Sequence, residues 1–225
     1  MSKSRSDRSA AKQSRNVRRG FQRRVFTTLY RVGGRVYDPL TVLVFGGAWS
    51  RWRESVVPFL ADGPLLDLGC GTGALAESLS QRGFKVVGLD REPSMLRRAH
   101  RRTILRSRLV RGDATRLPFR SATFASCIAT FPANFILQPT TLDEIARLLR
   151  PGGVLAIVMS GYTERWPLWR QPIRIALRLF YGAKNTDNLP ANRLIEHPML
   201  SGSWKWLECG DDHVLLWIGN RSMDG

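Results

Sequence analysis

Apolar positions change their period several times along the chain, and each change predicts an element. Between residues 65 and 159, short apolar runs alternate with amphipathic stretches of helical period. The runs 65–68, 85–89, 109–111, 124–129 and 154–159 predict strands. The stretches near 73–82, 93–102 and 139–149 predict helices, with Pro93 and Pro139 suited to first turns. Pro151-Gly152-Gly153 turns the chain into the last of these runs. This alternation predicts an α/β fold with a mostly parallel sheet covered on both faces. After residue 159 the pattern breaks. Residues 165–181 predict a helix with Arg170, Arg174 and Arg178 on one stripe and Trp169, Ile173, Leu177 and Phe180 on its neighbour. A polar connection with a short helix near 192–196 leads to 204–209 and 214–219, an antiparallel hairpin turning through Gly210-Asp211-Asp212. Ahead of residue 65, residues 36–60 predict one or two helices. Further back, Phe21, Val25, Phe26, Leu29 and Tyr30 recur at helical spacing.

Charge divides the chain further. Its 225 residues carry a net charge of +17, which implies an anionic partner: nucleic acid, anionic lipid or an acidic substrate. Residues 1–35 are Arg-rich against the single acid Asp7. Residues 1–19 have too few apolar side chains to fold and read as a basic disordered arm, in preference to an organelle transit peptide of similar composition. Residues 20–62 read as an N-terminal helical cap and 63–225 as the α/β domain. The basic, amphipathic 21–30 segment admits two placements, on a membrane surface or docked against the domain. Cys70, Cys127 and Cys209 lack metal-ligand spacing, so no metal site is expected, and an odd count without a disulfide framework points to the cytoplasm.

Residues 65–73, Leu-Leu-Asp-Leu-Gly-Cys-Gly-Thr-Gly, concentrate the candidate chemistry. A strand runs into Gly69, Gly71 and Gly73 and then into a helix, whose first N–H groups face whatever occupies the turn. The spacing is Gly-x-Gly-x-Gly, unlike the Gly-x-Gly-x-x-Gly of dinucleotide sites. Asp67, two residues before the first glycine, places a negative charge that suits a cationic ligand better than a diphosphate. Asp90 ends the second predicted strand, where a carboxylate accepts both hydroxyls of a ribose; it also suits a helix N-cap. Arg91 stands beside it, either lining the same pocket or solvated.

Asp-Leu-Gly-Cys-Gly-Thr-Gly (67–73) resembles motif I of the class I S-adenosylmethionine (SAM)-dependent methyltransferases. Asp90, Gly112-Asp113-Ala114, Leu117-Pro118-Phe119 and Leu148-Leu149-Arg150-Pro151-Gly152-Gly153 match the family in the same order. The resemblance implies a Rossmann-like sheet in the order 3-2-1-4-5-7-6 and SAM as the cofactor of residues 63–225. It implies cofactor contacts from Asp67, Gly69, Gly71, Thr72, Gly73, Asp90, Asp113, Ala114 and Thr130, with Asp113 accepting from the adenine amine and Ala114 meeting the ring; Arg91 is a further candidate on its position alone. Amino-methylating enzymes carry Asn/Asp-Pro-Pro-Tyr/Phe after the fourth strand; here the chain reads Thr130-Phe131-Pro132-Ala133-Asn134. Cys127 lies inside its strand and does not match the cytosine C5 nucleophile.

Among subfamilies, Tyr37-Asp38, residues 49–53, Thr130-Phe131 and residues 148–153 are most similar to ubiquinone/menaquinone-biosynthesis C-methyltransferases. Ala74 replaces the acid usual there, and Asn134 is out of register. Tyr37, Asn134 and Tyr162 are candidate acceptor contacts. His100, His197 and His213 fall in a helix, a loop and a hairpin turn, away from the sheet's C-terminal edge, so no general base is assigned. The expected activity is methyl transfer to a small, apolar, quinone-like or lipid-like acceptor, with peripheral contact to an anionic membrane. Two alternatives stay open: an RNA methyltransferase that holds nucleic acid through the basic arm, and a non-enzymatic SAM-binding protein.

Overall fold

The computed structural model describes residues 47–102, 108–132, 134–163, 171 and 195–223. Tyr37, the basic arm, the 21–30 segment, all of 165–181 except Gln171, and residues 192–194 of the expected short helix therefore lie outside the described residues. A short helix α1 (Ala48–Glu54) leads through a 3-10 turn (Val57–Phe59) into β1 (Pro64–Leu68). Then come α2 (Ala74–Gln81), β2 (Lys85–Asp90), α3 (Pro93–Ala99), β3 (Leu109–Arg111), β4 (Phe124–Thr130), α4 (Pro139–Leu148) and β5 (Leu149–Thr163). The antiparallel pair β6 (Leu200–Cys209) and β7 (Asp212–Arg221) closes the described chain.

The sheet order is β3-β2-β1-β4-β5-β7-β6, the order implied by the resemblance. β1 pairs in parallel with β2 and β4, β2 with β3, and β4 with β5, whereas β7 runs antiparallel to both β5 and β6. Central strands covered on both faces read as unbroken apolar runs. Accordingly Leu65, Leu66 and Leu68 of β1 and all of β4 except Thr130 are buried.

The two faces have different covers. On one, α4 presents Thr141, Leu142, Ile145, Ala146 and Leu148, a stripe of helical period, to a core that includes Leu66, Ala129, Ile157 and Trp217. On the other, α1 and α2 pack over Leu65, Ile128, Ala156 and Val158. α1 is fastened by one large anchor. Trp52 is 1% exposed, and a Cβ added at Gly161 of β5 would lie 2.6 Å from its Cδ2. Gly161 thus leaves the room that the indole fills. Two polar ties flank the anchor: Arg51 Nε donates to Asp212 Oδ2 at 2.8 Å, and Ser78 Oγ donates to Glu54 at 2.9 Å. Truncating Trp52 to alanine is expected to lower folding stability by about 3–5 kcal/mol, as for other fully buried large aromatics. Urea unfolding checks it, and a loss below about 1 kcal/mol would mean that α1 does not anchor the fold.

Several boundaries differ from the sequence expectation. β5 starts at Leu149, which pairs with Phe124 before the register shifts and resumes at Ser126 and Val154, so residues 150–153 form an irregularity within a strand. β5 also runs on to Thr163, and β7 begins at Asp212, an expected turn residue that is completely buried and ion-paired to Arg51.

Candidate functional site

Because β1, β2, β3 and β4 are parallel, their C-terminal ends and the turns after them share one edge of the sheet. At that edge Gly69, Gly71 and Gly73 have φ of 78°, 56° and 75°, in the left-handed region that other residues enter only at a cost. The turn is tied down by its own N–H groups. Gly69 and Cys70 donate to the Leu89 carbonyl at 2.7 and 3.0 Å, and Gly73 donates to the Cys70 carbonyl at 2.9 Å. A Cβ at Gly71 would meet nothing within 4 Å, so open space borders the middle of the turn. At Gly69 the neighbour is Phe135, whose Cζ lies 3.6 Å from the position of an added Cβ.

Asp67 is the electrostatic anomaly of this edge. Its residue is 1% exposed, and neither carboxylate oxygen meets a hydrogen-bond donor among the described residues. Burial pushes its pKa from 3.8 up to about 7; the positive charge of Arg53 opposes the rise and the negative charge of Asp90 adds to it. A buried carboxylate without donors carries a large desolvation cost when ionised, which a cationic ligand group would offset.

Asp90 is bonded on both oxygens: Oδ2 accepts from the Gly71 N–H and Oδ1 from the Glu92 N–H, each at 2.8 Å. Burial raises its pKa, and these backbone donors pull against that rise. The N-cap of α3 is Glu92, not Asp90. Asp90 instead braces the glycine turn, and each oxygen keeps a second lone pair for a ligand hydroxyl.

Asp113 follows β3 in a turn where its Oδ1 accepts from the Thr115 N–H at 3.0 Å and from the Thr115 hydroxyl at 2.8 Å, which lowers its pKa. Arg91 reaches its other oxygen at 3.5 Å, so the structure brings Asp90, Arg91 and Asp113 to one corner. Ala114 packs beside the core.

Thr130 ends β4 opposite Val158. Phe131 next to it has φ of 49°, a conformation that costs a non-glycine residue on the order of 1–3 kcal/mol and tends to persist at functional sites. It is held there by a 2.7 Å bond from its N–H to the Val158 carbonyl and by Trp49, which stacks on its ring at 3.9 Å and 17°. Trp49, quoted only within the 49–53 resemblance, and Phe135 were not assigned to the site from the sequence. Both act through tertiary contacts; for Phe135 the aromatic character of the segment after β4 was the available signal.

The acceptor candidates separate. Tyr37 lies outside the described residues. Asn134 opens a 3-10 turn (Asn134–Leu137) shortly after β4. Tyr162 lies near the end of β5, stacked on His213 at 4.6 Å and 9° and edge-on to Trp206 at 5.9 Å. This corrects the expected position of His213. It is not in the hairpin turn: it is the second residue of β7, paired with Tyr162 at the same C-terminal edge as the glycine turn. His100 ends α3, and His197 lies between Asp143 Oδ1 and the Met199 N–H, each at 3.1 Å. Cys70 and Cys127 are buried with raised pKa values, as expected of inert thiols. No group of metal-ligating side chains occurs among the described residues.

The edge therefore offers a buried carboxylate without a donor among the described residues, a braced carboxylate with spare lone pairs and a more exposed carboxylate around an open glycine turn. Similarity to known proteins agrees with that chemistry. A methyltransferase-domain family profile matches residues 66–157. An uncharacterized methyltransferase of Synechocystis is 34% identical over 148 residues, 63% of this chain and 68% of that one. A demethylmenaquinone methyltransferase of Thermus thermophilus is 39% identical over 131 residues, 54% of this chain and 60% of the relative. The chain spans about half to three-fifths of the length of the demethylmenaquinone methyltransferases that it matches. Among solved structures, one described as a SAM-dependent methyltransferase of Methanococcus maripaludis superposes with a TM-score of 0.59 at 19% identity, over 86% of this chain and 93% of the other. That likeness shows the fold.

Proposed function

The chain belongs to the class I SAM-dependent methyltransferases, and from that premise we propose that it transfers a methyl group from SAM to a small, apolar, quinone-like acceptor. The observation that carries the reading is Asp67, a buried carboxylate without a donor among the described residues, beside an open glycine turn. A ligand with a cationic amino-acid end suits that position, and a neutral or anionic nucleotide does not.

In this reading Asp67, Gly69, Gly71, Thr72 and Gly73 hold the charged end of the cofactor. Asp90 accepts from the ribose hydroxyls, while Arg91, Asp113 and Ala114 border the adenine and Thr130 lies beside the reacting end. The cofactor supplies a methyl group already activated on a sulfonium. The remaining task of the chain is alignment and exclusion of water. Trp49 and Phe131 provide apolar surface next to Thr130, and Phe135 does so beside Gly69, which favours an acceptor of the same character. The names of the demethylmenaquinone methyltransferase relatives point the same way. Tyr162 and His213, at the same edge, are acceptor contacts in this reading.

An apolar acceptor resides in membranes, and a net charge of +17 draws a protein to an anionic surface. No helix among the described residues is long and apolar enough to cross one. Peripheral, salt-sensitive association from the cytoplasm is the placement proposed here. Two measurements test the reading. SAM labelled in its methyl group, incubated with the protein and a host extract, should leave label in the organic-soluble fraction; label confined to RNA would replace the apolar acceptor with nucleic acid. The protein should also co-sediment with anionic vesicles at low salt and be released at high salt, and failure to bind them would remove the membrane part alone.

A further inference from the structure

The glycine turn is gripped from a side that its own sequence does not reveal. Arg102 lies just beyond α3, thirty residues from the turn. Its Nε donates to the Thr72 carbonyl at 2.9 Å, and its Nη1 pairs with Glu77 Oε2 in the first turn of α2. Both side chains are sheltered, with 28% of Arg102 and 25% of Glu77 exposed, so the pair is less screened than a surface ion pair. One guanidinium therefore binds a backbone carbonyl of the turn and a side chain of the helix that follows it.

The position of that carbonyl gives the contact its consequence. Thr72 stands between Gly71 and Gly73, both at left-handed φ. Glycines permit many alternative backbone angles, so a turn flanked by them is held by its partners and not by its own sterics. The Leu89 carbonyl and Asp90 hold the first half of the turn through Gly69, Cys70 and Gly71. Arg102 holds the second half through the oxygen of Thr72. We propose that Arg102 is a positioning residue for cofactor binding: it fixes the 72–73 peptide by its bond to the Thr72 carbonyl, and Glu77 neutralises the guanidinium beside a site that receives a cation. The proposal rests on the SAM-binding reading of the turn.

The arrangement sets separate expectations for three variants. Arg102→Ala removes a charge-assisted hydrogen bond to the turn and should weaken SAM binding by about tenfold to a hundredfold. Arg102→Lys keeps the charge but loses the fork that spans Thr72 and Glu77, and should recover only part of the affinity. Glu77→Gln leaves an uncompensated cation near the charged end of SAM, and should weaken binding in a way that added salt partly relieves.

Isothermal titration of each purified protein with SAM, alongside thermal unfolding without ligand, reads these effects. In turnover the Arg102→Ala change should appear in KM for SAM, with kcat at saturating SAM within about threefold of the parent. A purely structural Arg102 would lower the melting temperature and leave the dissociation constant of the folded protein unchanged. Wild-type affinity in Arg102→Ala, or full rescue by lysine, would overturn the proposal. Asp90→Ala run in parallel separates the two levels: if it also binds SAM normally, the site reading fails, and if it alone loses binding, only the Arg102 role fails.

Discussion

Replacing Asp90 with alanine is expected to raise the dissociation constant for SAM by at least about a hundredfold. The carboxylate has two tasks. It accepts the Gly71 and Glu92 N–H groups at 2.8 Å each, and in the proposed site it also accepts the ribose hydroxyls. Hydrogen bonds to a charged group contribute about 1.5–3 kcal/mol each, so loss of two to the ligand alone corresponds to about 3–6 kcal/mol, or about a hundredfold to ten-thousandfold in affinity. The free Gly71 N–H then loosens the turn, which adds to the loss. Asp90→Asn keeps one carbonyl oxygen for Gly71 or for a hydroxyl, but not all four contacts, and should fall between the parent and alanine. Calorimetric titration with SAM and with S-adenosylhomocysteine checks both variants, and circular dichroism confirms the fold. Affinity within about threefold of the parent in Asp90→Ala would remove Asp90 from the site.

The parts of this site that were legible in the sequence are those carried by local pattern. An apolar run ending in Asp and three alternating glycines specifies a strand, a sharp turn and a helix start without help from the rest of the chain. β3, only three residues long, was bounded correctly because Gly112-Asp113 follows it directly. The antiparallel hairpin was legible in the pattern, but its place in the sheet came from family resemblance, since alternation alone cannot order strands.

What escaped reading depends on distant partners. Asp212 is a turn residue by type, yet Arg51 of α1 buries it inside β7 as an ion pair, and this carries His213 out of the turn to the side of Tyr162. Phe131 is an unremarkable residue in sequence; its left-handed backbone is sustained by Val158 and the ring of Trp49. Arg102 sits among several arginines, and only the fold distinguishes the one that reaches Thr72. Local pattern located the groups proposed to face the ligand better than the groups that hold them in place.

Replacing Asp67 with asparagine should separate stability from binding. In the folded, ligand-free protein the Asp67 carboxyl keeps its proton up to about pH 7, whereas the unfolded chain releases it near the ordinary value of 3.8. Between those values the folded state binds more protons than the unfolded one, so this residue's contribution to stability falls as pH rises, by up to about 4 kcal/mol across the window. Asparagine has nearly the same shape and no charge to desolvate. The variant should therefore lose this decline and be more stable than the parent above pH 7, with the difference shrinking toward pH 4. The same substitution removes the charge that attracts the cationic end of SAM and should weaken binding at least about tenfold at pH 8. In the parent, binding should release a proton below pH 7 because the bound cation favours the ionised carboxylate, so affinity should climb from pH 5.5 to 7 and then level off. Urea unfolding as a function of pH measures the first effect. Titration calorimetry in buffers of different ionisation enthalpy measures the second. An Asp67→Asn protein that binds SAM as the parent does, with an unchanged pH profile, would mean that the buried carboxylate serves the fold and not the ligand. A variant more stable at pH 8 yet deficient in binding would identify Asp67 as a charge kept at a cost to folding because the ligand requires it.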